Sequence, residues 1–539
     1  MDKTVDPILL EVIKNRMTSL TEEMGAVLMR TAFSPNIKER RDFSCALFNA
    51  QGEMVAQAAH IPVHLGSMPL SVAAALKSDN LQPGDMLILN DPYCGGTHLP
   101  DVTLVMPVFY SGQDQPAYYL ANRAHHADIG GMQPGSLPLS TEIFQEGLRI
   151  PPVKLVQAGQ LNREFLSLLM ANVRTPTERE GDLMAQVAAN RVGERRLLEM
   201  MSHFGFAKTQ SYSAALLDYG AEWTRRVIKS LPDGDYQFSD QLDSDGQSSE
   251  PIMINCNLKI DGAMALVDFT ESDSQGPGCL NAVRAVTLSA VAYVFRLLTP
   301  DDVPYNSGSM RPVTVTTRPG TIVDCCFPAA VAGGNVETSQ RIVDVLMGAL
   351  SKALPERIPA ASGGSMNNLL IGGTDPRNGQ LFAYYETTAC GAGGGPEGDG
   401  ASGLQTHMTN TLNTPVEALE HAYPLLVRCY CLRQGSGGEG QFAGGEGVLR
   451  EVELTGPALV TLLTERRNSA PYGLYGGQPG RPGRNCLIRN AEQQILPDKA
   501  MISCRAGDRL RIETPGGGGW GKPKDGRCEE TVLRRDGGA

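Results

Sequence analysis

His98 and Asp101 stand three residues apart in Thr97-His98-Leu99-Pro100-Asp101, the stretch of this 539-residue chain where residue types and spacing first suggest chemistry. Pro100 disfavours a helical conformation at Leu99, so the pair belongs to an extended or turning segment. There an imidazole nitrogen and a carboxylate oxygen can reach one divalent cation, with Gly95 and Gly96 letting the loop fold tightly beneath. His125 offers a third ligand, and Asp42 or Asp91 a fourth. Two histidines with one or two carboxylates, and a position left for water, suit Zn, Mn or Fe in a catalytic site. An isolated His-x-x-Asp is more often a turn hydrogen bond. Here five of the eight histidines fall between residues 60 and 126, among acids at 42, 91, 101 and 128, which puts the metal reading level with the turn.

Glu142 and Glu146 are four apart and share one side if their segment is a helical turn. A carboxyl of raised proton affinity beside a metal can act as a general base, so Glu142, Glu146 and Asp91 are the candidate catalytic carboxylates. A solvated helix face is the commoner use of such a pair. His60 and His64, with Pro62 between them, read as satisfied interior histidines rather than as partners that orient a ligand. Adjacent strand residues point to opposite faces, so one of His125 and His126 faces the metal. The pattern leaves that choice open, with His125 preferred.

Other motifs fail on inspection. Gly516 to Lys522 has the spacing of a phosphate loop, but Pro523 replaces the hydroxyl that would hold Mg, and the 16 residues after it build no nucleotide fold. Gly435 to Gly440 matches a dinucleotide fingerprint but continues as loop. The twelve cysteines form no Cys-x-x-Cys pair and read as reduced thiols, and nothing near Cys325-Cys326 would depress a thiol pKa. There is no Gly-x-Ser-x-Gly nucleophile elbow.

The elements that must position these residues are legible from periodicity. Helical spacing runs over 6–32, 69–76, much of 157–231, 283–298 and 338–354. Strands are expected over 43–48 and 53–57 as a hairpin, then 86–89, 102–109, 117–122 and within 235–272. Beyond 360, short strands alternate with glycine-dense loops, and glycine in such loops is a feature of loop-built sites. The fold class is therefore α+β, in several parts: a mixed α/β region carrying the metal site (1–160), a helical segment (161–232), a mixed strand and helix region (233–360) and a β-rich glycine-loop region (361–539). A net charge of −12 argues against a nucleic-acid partner. No uninterrupted apolar run is long enough for a membrane helix, and Met1 to Pro7 lacks the pattern of a secretory signal, so a cytoplasmic protein is expected.

Several segments together carry a resemblance. They are Lys38-Glu-Arg-Arg-Asp42-Phe-Ser-Cys, His60-Ile-Pro-Val-His64-Leu-Gly-Ser-Met, Asn90-Asp-Pro-Tyr with Gly96-Thr-His-Leu-Pro-Asp101, and Ala124-His-His-Ala-Asp-Ile-Gly-Gly131. Further on come Glu142-Ile-Phe-Gln-Glu-Gly-Leu-Arg-Ile-Pro-Pro152, Gly334-Asn-Val-Glu-Thr-Ser-Gln-Arg341, Thr409-Asn-Thr-Leu-Asn-Thr-Pro-Val-Glu417 and Thr514-Pro-Gly-Gly-Gly-Gly-Trp-Gly521. In this order, over nearly the whole chain, they resemble the hydantoinase B/oxoprolinase family. The resemblance implies a hetero-oligomer in which ATP is bound by a hydantoinase A-type subunit, while this chain handles a cyclic amide or a ketone. Family members include hydantoinases, 5-oxoprolinase, caprolactamase and the ketone carboxylases. It further implies that His98, Asp101 and His125 hold a manganese-type metal, as the matching residues do in acetone carboxylase; Asp42 as fourth ligand comes from the residues alone. The chain's length favours the hydrolase over the longer carboxylase subunit, and a non-catalytic scaffold is the remaining alternative.

Overall fold

The computed structural model describes residues 5–58, 61–78 and 80–523; His60, one of the two histidines read as interior, and Cys528 lie outside them. Asp6 starts the first helix, α1 (Pro7–Thr31), by accepting the Ile8 amide at 2.9 Å, and Pro7 supplies the fixed φ of a first helical position. Leu10, Ile13, Met17, Leu20, Met24 and Leu28 recur every three or four residues and form its buried stripe. After the short α2 (Pro35–Lys38), β1 (Phe43–Asn49) and β2 (Met54–Gln57) make the expected hairpin. Next come α3 (Met68–Ala75), β3 (Met86–Leu89), β4 (Asp101–Val108), β5 (Tyr118–His125), β6 (Val153–Gln157) and β7 (Gln160–Leu161). These strands form one antiparallel sheet in the order β2-β1-β5-β4-β3-β6-β7.

Every residue of β4 and β5 is buried, so the sheet is a middle layer. The face carrying Cys45, Leu47, Val102, Leu104, Leu120 and Ala124 packs on α1 and on the helices α4 (Arg163–Ala171), α5 (Pro176–Phe204) and α6 (Phe206–Lys229). The opposite face, with Phe48, Leu87, Val105 and Ala121, packs on Met68, Val72 and Ala75 of α3. One core thus runs from α1 to α6 and crosses the boundary expected at residue 160.

A second sheet, of strands 234–242, 252–261, 264–268 and 313–316, packs on α7 (Arg284–Leu297) and α8 (Ser339–Ala353). Two further sheets, one built on 368–374 and 381–386 and one on 425–433 and 447–454, share a third core. Buried ion pairs tie α8 to the C-terminal half, with Asp344 held by Arg341 at 3.1 Å and by Arg466 at 3.0 Å. Among the described residues no helix is long and apolar enough to cross a membrane.

The glycine-dense segments pack on one another. Gly517 donates to Gly445, Gly518 to Ala361 and Gly519 to Gln478 at 2.8–2.9 Å, while Gly438 and Gly394 donate back to Gly517 and Gly518. A Cβ on Gly516, Gly517, Gly518 or Gly519 would fall within 2.1 Å of the carbonyl oxygen of Ser436, Ala392, Tyr472 or Glu439 respectively. Backbone therefore fills the space that side chains fill in an ordinary core, and a phosphate has no room at Gly516–Gly519. Gly517→Ala is expected to destabilise the chain by about 3 kcal/mol or more, because the blocking atoms are themselves backbone. Gly398→Ala, where nothing lies within 4 Å, is expected to change stability by less than about 0.5 kcal/mol. Thermal unfolding of the two variants checks this, and equal midpoints would contradict the packing account.

Candidate metal centre

The loop before β4 is shaped by backbone approach. Asp91 caps a short turn by accepting the Tyr93 amide at 3.0 Å, and Gly95 follows with φ of 91°. A Cβ on Gly95 would lie 2.4 Å from the Leu70 carbonyl oxygen, so only glycine lets the loop cross α3. The chain then turns through Thr97 and His98 and enters β4 at Asp101, which stands directly opposite His125 in β5. Cross-strand partners project to the same face. The strand alternation sends His126 to the other side, where its Nε2 meets Gln186 of α5 at 2.9 Å.

Asp101 Oδ1 lies 3.2 Å from His98 Nε2 and 3.4 Å from His125 Nδ1. Its other oxygen accepts from Thr97 Oγ1 at 2.7 Å and from Asn335 Nδ2 at 3.2 Å, and has His64 Nε2 at 3.4 Å. His98, Asp101 and His125 offer ligand atoms within 4.8 Å of one another, all buried. His98 Nδ1 lies 3.3 Å from the Ala332 carbonyl oxygen and His64 Nδ1 lies 2.8 Å from Ser44 Oγ, which fixes both rings. The Nε2 atoms of His64, His98 and His125 are buried without a hydrogen-bond partner. Buried polar atoms rarely stay unpaired, so a group of this chemistry and spacing fits a divalent cation.

Burial and the close charges pull in opposite directions within this group. Burial favours protonation of Asp101, but His98 and His64 outweigh it and hold the carboxyl well below its usual range. Burial also opposes charge on His98, yet Asp101 beside it raises the imidazole above its ordinary value. His125 is dominated by burial and is pushed down.

Glu146 reaches this centre through one residue. Its Oε1 accepts from Ser140 Oγ at 2.7 Å and from the Val331 and Ala332 amides at 2.8 and 3.0 Å, and the carbonyl of the same Ala332 faces His98. Its Oε2 is buried without a partner. Burial raises the carboxyl to about 7, and the three donors offset it only in part.

The remaining expectations separate on geometry. Glu142 and Glu146 do not share a side: a 3₁₀ turn, Ile143–Gln145, lies between them, and it leaves Glu142 exposed while burying Glu146. The Asp91 carboxylate is engaged as a cap, lies 3.6 Å from Arg149 and is not part of the ligand group. Asp42 is buried, close enough to favour a proton on both His98 and His125, but outside the ligand group; its carbonyl accepts the His125 amide at 3.0 Å. Asp128 is paired with Arg174 at 2.8 Å. His64, read as a satisfied interior residue, instead contacts Asp101. Sequence reasoning also passed over Asn335 and over Tyr385, whose ring stacks on His125 with centroids 4.7 Å apart. Asn335 stands in a segment that the resemblance singled out, but its contact lies 234 residues away in the chain.

Comparison with known proteins bears on this centre. The profile of the hydantoinase B/oxoprolinase family matches residues 6–523. An uncharacterised protein of Methanocaldococcus jannaschii is 41% identical over 96% of this chain and 91% of its own length. A putative D-/L-hydantoinase subunit of a Pseudomonas species is 31% identical over 98% of this chain and 92% of its own. The 5-oxoprolinase 1 of Arabidopsis thaliana is 39% identical over 96% of this chain, which spans only 42% of that relative. The ATP-dependent caprolactamase of Pseudomonas jessenii superposes with a TM-score of 0.90 at 31% identity, covering 96% of this chain and 92% of the other. An acetone carboxylase shares the fold at a TM-score of 0.89 and 19% identity, over 96% and 76% of the two chains. The chain belongs to the hydantoinase B/oxoprolinase family.

Glu146 offers a test of the centre in the metal-free chain. Its folded value of about 7 exceeds the ordinary 4.5, so the folded chain holds this proton more tightly than the unfolded one. The resulting stability is fully present below the ordinary value and lost as pH rises through about 7. Glu146→Gln stays neutral, so its advantage over wild type is expected to grow between about pH 5 and about pH 8, by on the order of 2–3 kcal/mol at most. Unfolding midpoints across that range measure it, and a pH-independent difference would contradict a buried, raised carboxyl.

Proposed function

We propose that this chain is the metal-holding part of an ATP-dependent cyclic amidohydrolase that opens hydantoin, 5-oxoproline or lactam rings. It is completed by a hydantoinase A-type ATP-binding subunit. The observation that carries this reading is the convergence of His98, Asp101 and His125, with open buried nitrogens, to which Glu146 is joined through the Ala332 backbone.

An amide resists hydrolysis because resonance makes its carbonyl a poor electrophile and its nitrogen a poor leaving group. Phosphorylation of the carbonyl oxygen with ATP removes that resonance and is assigned to the partner. A divalent cation held by His98, Asp101 and His125 supplies Lewis acidity, which makes water acidic near neutral pH. This chain's own residues do the rest. Thr97, Asn335 and His64 hold the Asp101 carboxylate in one rotation. Glu146, fixed at Oε1 by three donors, takes the proton of the attacking water on Oε2 as the new C–O bond forms. It then returns that proton to the ring nitrogen as the C–N bond breaks, which leaves an acyl phosphate that a second water hydrolyses to the carboxylate and inorganic phosphate. Burial of the whole group excludes competing water.

The ketone carboxylase reading draws on the shared fold of acetone carboxylase, which at 19% identity extends to fold alone. Co-expression with the ATP-binding partner, followed by a screen of hydantoins, 5-oxoproline and lactams, is expected to give ring opening coupled to ATP consumption. Bicarbonate-dependent ketone consumption with no ring opening would replace the hydrolase by a carboxylase. His98→Ala and Asp101→Ala are each expected to lose bound metal and at least about 100-fold in kcat/KM while still assembling. A metal-free His98→Ala complex of full activity would leave only a scaffold. For the proton step, kcat/KM is expected to rise with pH through about 7, and Glu146→Gln to lower it by about 10²–10⁴-fold and abolish that limb. A limb that survives in the variant belongs to another group and removes Glu146 as the base.

A further inference from the structure

Gly334–Thr338 is wound as a single π turn at the head of α8, a deviation that recurs at functional sites. Two of its side chains reach the metal centre by separate routes. Asn335 donates to Asp101 Oδ2, the oxygen that does not face His98 and His125. Glu337 reaches His125 through two intermediaries. Its Oε1 accepts from Asn368 Nδ2 at 2.6 Å, Asn368 Oδ1 accepts from the Tyr385 hydroxyl at 2.9 Å, and the Tyr385 ring lies 19° from parallel to the His125 ring.

This relay has little freedom. Glu337 and Asn368 are fully buried and Tyr385 is 4% exposed. The second amide hydrogen of Asn368 goes to the Leu463 carbonyl at 2.9 Å, so its side chain cannot flip without losing its partners. Glu337 Oε1 also accepts the Met366 amide at 3.1 Å, while Oε2 is buried without a partner. The guanidinium of Arg40 sits 4.7 Å from the Tyr385 ring centroid.

We propose that Asn335 and Glu337 are positioning residues for the metal centre. Asn335 sets the rotation of the Asp101 carboxylate, and Glu337, through Asn368 and Tyr385, sets the plane of the His125 ring. The inference rests on the metal reading of His98, Asp101 and His125. An imidazole binds a cation only along the lone pair of its ring nitrogen, so a ring free to rotate loses affinity even when it stays nearby. Groups that orient ligands in this way are worth about 10–100-fold in metal affinity. Burial first, and Glu465 second, raise the Glu337 carboxyl to about 8, against the opposite pull of Lys499 and Arg467. Burial thus favours the neutral carboxyl, an acceptor at Oε1 that glutamine reproduces.

The test is a titration of the metal-stripped full chain with Mn²⁺ and with Zn²⁺ by chelator competition, with the metal-free unfolding midpoint measured alongside. Glu337→Gln is expected to bind within about threefold of wild type, while Glu337→Ala, Asn335→Ala and Tyr385→Phe bind about 10–100-fold more weakly. Tyr385→Phe keeps the stacked ring and removes only its tether, so it serves where Glu337→Ala fails to fold. A lowered midpoint with wild-type affinity in Glu337→Ala or Tyr385→Phe would overturn the inference and leave a purely structural role. A wild-type chain that takes up neither metal would overturn the metal reading itself, and this outcome shows in the wild-type titration alone.

Discussion

Taking a carboxylate out of water into a fully buried position costs several kcal/mol unless charge and hydrogen bonds compensate it. Asp101 is 1% exposed and ionised, and the N-terminal half is arranged around that constraint. Three imidazoles, one hydroxyl and one amide surround its two oxygens. One oxygen is saturated by groups that only orient it, and the other faces the two histidines that can share a cation. That second oxygen, with His98 and His125, forms the buried group whose ligand atoms lie within 4.8 Å of one another.

The centre also depends on parts of the chain far from it. Its floor is the β4–β5 pair, where Asp101 meets His125 across the ladder. Its walls come from the π turn before α8 and from Tyr385 at the end of a C-terminal strand. Those walls stay in place because α8 is buried along nearly its whole length and locked to the C-terminal half by Arg341, Asp344 and Arg466. The glycine segments serve the same end by another means. With no side chains they let backbone pack on backbone, and the second half of the chain becomes a dense support without a large apolar core at that point.

Much of the fold was legible because it rests on periodicity. The stripe of α1, the β1–β2 hairpin, the long helices after residue 160 and the strand-rich remainder all follow from apolar spacing and turn residues. The core joining α1 to α5 and α6 was not legible, since it is made by contacts that no local pattern records. The glycine loops were legible only in part for a related reason: composition announces close approach but not what is approached.

The sequence by itself determined the chemical inventory and the family, through His98, Asp101, the His125-His126 pair and a run of ordered motifs. Only the tertiary structure decided among the candidates. Register across β4 and β5 selected His125 over His126, and a 3₁₀ turn buried Glu146 while leaving Glu142 in solvent. His64, Asn335 and Tyr385 entered because folding brings residues far apart in the chain into contact around one carboxylate and one imidazole. Spacing fixes which side chains are neighbours along a strand or turn, whereas the partners of a buried charge are chosen by packing in three dimensions.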